Sequence, residues 1–291
     1  MNKRRTASSS IGRPTPHPLR PSHGNWNLNT VVQLVPQPSL RAAENKADEI
    51  EGFLSSLFEL ITFGGSKRTA ALKDIADLLS SASDFDAKQV CQALIAMNGL
   101  TRFVTLLGET CSTTRILSSD ILVSVVELGY SKKVLECKAL LFKIERMLQD
   151  DDLEVRGAGA AVLAVIPAIP ESRTCILHLL RMLNIVSHSV RQRALSALVQ
   201  IISNRECAEH AQEGKIIYML VDYLETSPYL MVKEGCTAAI AKLCCVSPQL
   251  RARIIGNGAV PKLIEFVVAR HSASMLHESL SALLALCGET R

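Results

Sequence analysis

Nine cysteines and seven histidines are the side chains of this chain best suited to metal binding or thiol chemistry, and their arrangement argues for neither. A structural zinc site draws four Cys or His ligands together, usually from two closely spaced pairs. No CxxC pair occurs among Cys91, Cys111, Cys137, Cys175, Cys207, Cys236, Cys244, Cys245 and Cys287, and the histidines do not complete a ligand set. His271 and His277 stand six residues apart, off any common helical face. The cysteines lie in apolar stretches and read as small buried hydrophobes in a reducing compartment. The run Gly64-Gly65-Ser66-Lys67-Arg68 resembles a phosphate loop only superficially, because it lacks the GxxxxGK spacing and a preceding strand. It reads as a break between helices. Nothing in the sequence suggests a catalytic triad, and neither an enzymatic activity nor a cofactor is expected.

The elements that hold these residues are helical. Hydrophobic residues make up 48% of the chain and aromatics only 4%, a balance that suits closely packed helices better than sheets. The longest uncharged stretch that could approach a membrane, 157–170, is 14 residues long and contains Pro167, short of the roughly 18 apolar residues a spanning helix needs. A soluble, all-α protein is expected.

The net charge of +4 is unevenly divided. Residues 1–48 carry seven Lys and Arg against two acids, so the remainder is close to neutral. A near-neutral body argues against nucleic-acid binding, which favours a basic face. Rich in Ser and Pro and without an acid before Glu44, residues 1–48 have the composition of a disordered tail, followed by a folded region over 49–291. Lys3-Arg4-Arg5 resembles a short nuclear signal. Cytoplasmic localisation, extending to the nucleus, is expected; organelle import is the weaker alternative because Pro14 to Pro21 would break a targeting helix. The tail also holds an apolar island, Trp26 to Val35, in which Trp26, Leu28, Val31 and Leu34 form either a linear binding motif or a cap on the first helices.

Self-comparison defines the architecture. VRQRALSALVQI, starting at Val190, recurs as VKEGCTAAIAKL at Val232, MLHESLSALLAL at Met275, VRGAGAAVLAVI at Val155, TRILSSDILVSV at Thr114 and KRTAALKDIADL at Lys67. Successive spacings are 47, 41, 35, 42 and 43 residues, the period of helical repeat arrays. Between the copies runs a second pattern of a short helix, a Gly turn and a longer apolar helix: 89–107, 208–224 and 252–267. Gly99, Gly214 and Gly258 are expected to supply the left-handed residue of each turn. A degenerate copy at 133–148 has Cys137-Lys138 where Gly would stand. Ser227-Pro228 and Ser247-Pro248 both read as helix starts. In the shortened interval around 157–186 the short helix should be lost.

Short helix, Gly turn with GAVPKLIEFV, and a third helix of ALSAL type together resemble the armadillo repeat, strongly over 187–291 and more loosely from residue 50. The resemblance implies a right-handed α-solenoid of about six armadillo/HEAT-like repeats, its third helices lining a concave groove. The peptide-binding nuclear import adaptors of that family carry a Trp and Asn ladder on this helix. Its places here fall on Lys73 and Asp77, Asp120 and Ser124, Ala161 and Val165, Ser196 and Gln200, Ala238 and Lys242, Ser281 and Ala285. None is Trp or Asn, which argues against binding of basic import signals in that mode.

The resemblance implies a non-enzymatic scaffold that binds a segment of a protein partner in the groove. Candidate contact residues are Lys73, Asp77, Asp120, Ser124, Arg191, Arg193, Ser196, Gln200 and Lys242. The face from Arg191 to Lys242 suits acidic side chains or phosphates. Alternatives are an armadillo-fold nucleotide exchange factor for Hsp70, suggested by the stretch 270–288, and weak nucleic-acid binding through the tail.

Overall fold

The computed structural model describes residues 40–211 and 215–288, with side chains from Asp48 onward apart from Ser81. In chain order the helices are α1 (Leu40–Phe63), α2 (Gly65–Ser81), α3 (Asp84–Ala96), α4 (Gly99–Leu106) and α5 (Ser112–Val125), then a π turn (Val126–Tyr130) entering α6 (Ser131–Leu135). They continue as α7 (Leu140–Leu148), α8 (Leu153–Val165), a 3-10 turn (Pro170–Cys175), α9 (Ile176–Met182), α10 (His188–Ile202) and α11 (Arg205–His210). The last are α12 (Ile216–Thr226), α13 (Leu230–Val246), α14 (Pro248–Gly256), α15 (Ala259–Ala269) and α16 (Ala273–Leu286). No strand occurs among the described residues. Helix α1 starts at Leu40, ahead of the boundary expected at residue 49. The island at Trp26, Leu28, Val31 and Leu34 and the turn at Gly214 lie outside the described residues.

The six copies are the six third helices, α2, α5, α8, α10, α13 and α16, and each packs on the next. Their register explains why. One apolar position per copy, Ile75, Leu122, Leu163, Leu198 and Ile240 in the first five, is buried to 1% exposure or less. It recurs because 3.6-residue periodicity keeps one stripe of every copy facing inward. A single repeat cannot close such a core, so the neighbours close it jointly.

The ends of the helices follow from local chemistry. The hydroxyl of Ser247 accepts from the Leu250 N–H at 3.2 Å with Pro248 as the first helical residue, and that of Ser272 accepts from Met275 at 2.9 Å, each satisfying an orphan donor of the first turn. The Ser227-Pro228 pair differs. It lies ahead of α13, whose N-cap is Tyr229, and the Ser227 hydroxyl accepts from the Tyr229 N–H at 3.3 Å.

Gly258 is left-handed (φ 83) as expected, whereas at the first turn the left-handed residue is Asn98 (φ 56) and not Gly99. Gly99 is required for space: a Cβ there would sit 2.7 Å from the Phe58 ring and 2.9 Å from the Leu94 carbonyl. Ala139 (φ 65) holds the equivalent turn in the copy that lacks Gly. In the shortened repeat the short helix is replaced by the 3-10 turn Pro170–Cys175.

An Arg near the start of three third helices fastens the repeats. Arg68 donates to the Ile61 carbonyl at 2.8 Å, Arg156 to the Asp150 carbonyl, and Arg191 to the Ile185 and Val186 carbonyls, the latter at 2.7 Å. In each case a cation satisfies carbonyls at or just beyond the end of the preceding helix. Among the cysteines, Cys91, Cys175, Cys207, Cys236 and Cys244 are buried and Cys137 half-buried, while Cys111, Cys245 and Cys287 are exposed and depart from the expected pattern. Burial pushes the thiols of Cys91, Cys175 and Cys244 up to about 12.

Candidate functional site

Side by side, the third helices form a face whose lining changes along the array. On α2, Lys73 is exposed and Asp77 half-buried; on α5, Asp120 is exposed and Ser124 half-buried. Burial, reinforced by Asp77, raises the Asp74 carboxyl above the usual range. The Asp120 carboxyl is raised as well: the residue as a whole is exposed, but desolvation of the carboxyl by its neighbours outweighs the opposing pull of Arg193.

Arg193 belongs to α10, yet it acts on a carboxylate of α5 across the intervening α8. Small residues on α8 open the route. A Cβ on Gly157 would lie 3.3 Å from the Arg193 Nη1, and the same guanidinium reaches Glu154 at 3.9 Å. Arg193 thus pairs with Glu154 of α8, and charges of both signs lie on this stretch of the face.

Arg191 does not belong to the groove. Its side chain is only 4% exposed, its guanidinium is held by the two carbonyls and lies 3.5 Å from the centroid of the Tyr229 ring. The expectation that it meets a partner fails because helix periodicity turns it inward, one residue before exposed Gln192. The signal was in the copies: five of the six have Lys or Arg as their second residue, a recurrence better explained by fastening the repeat than by a partner.

Beyond α10 the face opens into a depression of about 450 Å³, bounded by α10, α13 and α16. Gln192, Ser196, Gln200, Met231, Glu234 and Glu278 line it. Helices α10 and α13 approach closely in its lining at Gly235, where a Cβ would meet the Leu195 side chain at 2.5 Å. Gln200 donates to the Ile166 carbonyl at 3.1 Å, leaving its amide oxygen to the depression, and Lys242 reaches back to the Val199 carbonyl at 3.4 Å. Glu234 accepts from the Ser272 hydroxyl. Glu278, only partly exposed, makes no ion pair among the described residues.

The site therefore unites Ser196 and Gln200 with Gln192, Glu234 and Glu278, which the ladder positions do not include. They fall on the turns between those positions, and their spacing alone does not distinguish them from solvated surface. Lys73, Asp77, Asp120 and Ser124 lie on other helices, apart from the depression. A second depression of about 510 Å³ lies near the short helices, where Arg205 and Glu209 pair at 2.8 Å. Its chemistry is that of exposed ion pairs, which contribute little. No cluster of three metal-ligating side chains occurs among the described residues, and no described helix is long and apolar enough to cross a membrane.

No protein-family model and no curated protein matches the sequence. Solved structures match the fold. An engineered protein determined by a structural genomics consortium superposes with a TM-score of 0.69 at 25% identity, over 81% of this chain and 99% of its own. The designed armadillo repeat protein YIII(Dq)4CqI gives 0.67 at 21% identity, over 80% of this chain and 99% of its own. Designed armadillo repeat protein YIII(Dq.V1)4CPAF, solved in complex with the peptide (KR)4, gives 0.68 at 20% identity, over 80% and 98%. The molecule is an armadillo-like all-α repeat solenoid.

Proposed function

We propose that the chain is a protein-interaction scaffold that holds an extended segment of a partner across α10, α13 and α16, and that this segment carries Lys or Arg. The observation that carries the reading is the depression with Glu278 uncommitted at one side and the Gln192 and Gln200 amides at the other. Amide groups can bond to an extended backbone, and a partly desolvated carboxylate favours a cationic side chain. Bases on the same face have partners within the chain: Arg191 two carbonyls, Arg193 the Glu154 carboxylate at 3.9 Å, Lys242 the Val199 carbonyl at 3.4 Å. That disposition replaces the acidic partner expected from the Arg191 to Lys242 face. A likeness in fold to a repeat protein solved with a Lys/Arg peptide agrees with this reading.

Selection of random peptides on the 291-residue chain tests it. The selected peptides should be rich in Lys and Arg, and Glu278→Lys should weaken them about tenfold or more, a charge reversal costing at least about 1.4 kcal/mol. Acidic peptides, or peptides indifferent to that reversal, would sink the reading.

A further inference from the structure

We infer that a ridge formed by Phe142 of α7, Leu177 of α9 and Tyr218 of α12 binds an amphipathic helix of a protein partner, one whose apolar residues recur every seven places and whose flanks carry Asp and Glu. The ridge is a product of the repeat. The helix ahead of each of the last five third helices, α4, α7, α9, α12 and α15, has an apolar pair near its end: Leu106-Leu107, Met147-Leu148, Met182-Leu183, Tyr223-Leu224 and Phe266-Val267. The residue five places before the pair is exposed every time: Thr101, Phe142, Leu177, Tyr218 and Pro261. In the three middle repeats it is a large apolar residue, at 59%, 42% and 62% exposure.

This exposure does not arise at an end of the stack, because repeats carrying Thr101 and Pro261 at the same place flank the three on either side. Helices α7, α9 and α12 pack side by side, so the residues run in line. Two places on, Ile144, Leu179 and Leu220 turn into the core. A lone exposed Leu is ordinary, but one register position held apolar on three consecutive helices makes a patch.

The spacing selects a helix as occupant. Helices packed side by side lie about 8–10 Å apart, so the ridge presents an apolar side chain at each such step. An α-helix laid across them climbs that distance in about seven residues, two turns, and meets every ridge residue with the same face. An extended segment climbs it in about three residues, and an odd step points successive side chains to opposite faces. A helix of about 15 residues therefore engages all three residues, and an extended segment does not.

Charge selects its flanks. Four places after Phe142 and Leu177 stand Arg146 and Arg181, both exposed, and the Arg146 guanidinium lies 6.0 Å from the centroid of the Phe142 ring. Lys143, half-buried, adds a third base beside Phe142. None of the three makes an ion pair among the described residues. Against them α7 and α9 carry one acid, the half-buried Glu145, and on α12 Asp222 takes the place of the two Arg. The ridge is thus basic over α7 and α9, which favours carboxylates on the part of the occupant that crosses these helices. That is the opposite of the charge proposed for the segment held across α10, α13 and α16, and no ridge residue lines that depression.

Selection of random peptides of about 20 residues, long enough to span the ridge as a helix, tests this on the 291-residue chain, with counter-selection on a variant that combines Phe142→Ser, Leu177→Ser and Tyr218→Ser. All three substitutions fall on exposed positions, so the variant should keep the circular dichroism of the parent. Peptides held by the parent and not by the variant should carry an apolar residue every seven places, bear Asp and Glu, and gain helicity on binding. Arg146→Glu combined with Arg181→Glu should weaken them about tenfold or more by fluorescence anisotropy. The Ser variant should hold Lys/Arg-rich peptides as the parent does, so a failure at the ridge stands apart from a failure at the depression. The proposal is overturned if no peptide separates parent from variant, or if those that do are basic or bind extended. Binding of phosphatidylserine vesicles that the three substitutions abolish, with no such peptide found, would overturn it in favour of a lipid surface.

Discussion

Two stretches of one helix stack, built from copies of the same sequence, end in opposite states. Across α8 and α10, Gly157 leaves room for Arg193 to reach Glu154 at 3.9 Å, so opposite charges meet within the chain. Across α10, α13 and α16, the nearest base, Lys242, is bound to a carbonyl, and Glu278 faces an open depression. What separates them is what packs at the glycine of each middle helix: the Arg193 guanidinium lies at Gly157 of α8, whereas an apolar side chain, Leu195, lies at Gly235 of α13.

The largest expected effect separates fastening from lining. Arg191→Ala should cost about 2–3 kcal/mol in urea unfolding, since it strips two carbonyls of a charged donor and removes a stack on Tyr229. Gln192→Ala, one residue on and exposed, should stay within about 0.5 kcal/mol. Similar losses for the two would contradict the division of roles along α10.

A smaller effect is expected from closing the space on α8. Gly157→Val must displace Arg193 or Val190, whose nearest atoms would lie 3.3 and 3.2 Å from the new Cβ, at about 1–2 kcal/mol for overpacking. Peptide affinity at the open depression should not change. A parallel loss of affinity would mean that the two stretches are not independent.

The smallest effect is in pH dependence. Burial raises the Asp120 carboxyl despite Arg193, so the folded state holds that proton more tightly than the unfolded chain does. Stability from this group is therefore lost as pH rises through the folded value. Asp120→Asn should melt at a higher temperature than the parent at neutral pH, and the gap should close as pH falls below about 4, the unfolded carboxylate range. A gap that widens on acidification would show that attraction to Arg193 outweighs burial.

The stack was legible because its evidence is periodic: six apolar stripes at near-constant spacing and a Ser-Pro start at α14. The left-handed turn at Asn98 was displaced by one residue from Gly99, since Gly promotes a left-handed turn and also permits close approach, and only the contact with Phe58 distinguishes the two uses. Arg191 and Gln192 are adjacent polar residues in sequence, and a change of about 100° around the helix puts one inside and one outside. The reach of Arg193 to Glu154 depends on a side chain that Gly157 lacks, across two successive repeats. Glu278 lies in the copy that departs most from the others, MLHESL, where its face depends on how α16 sits on α13.

The most direct test maps a selected Lys/Arg-rich peptide onto the two stretches. A photo-crosslinking residue placed at Ser196 and, separately, at Asp120 should capture the peptide from the first position and not from the second. Equal yields at both positions, or capture at Asp120 alone, would contradict the account of binding at the open depression.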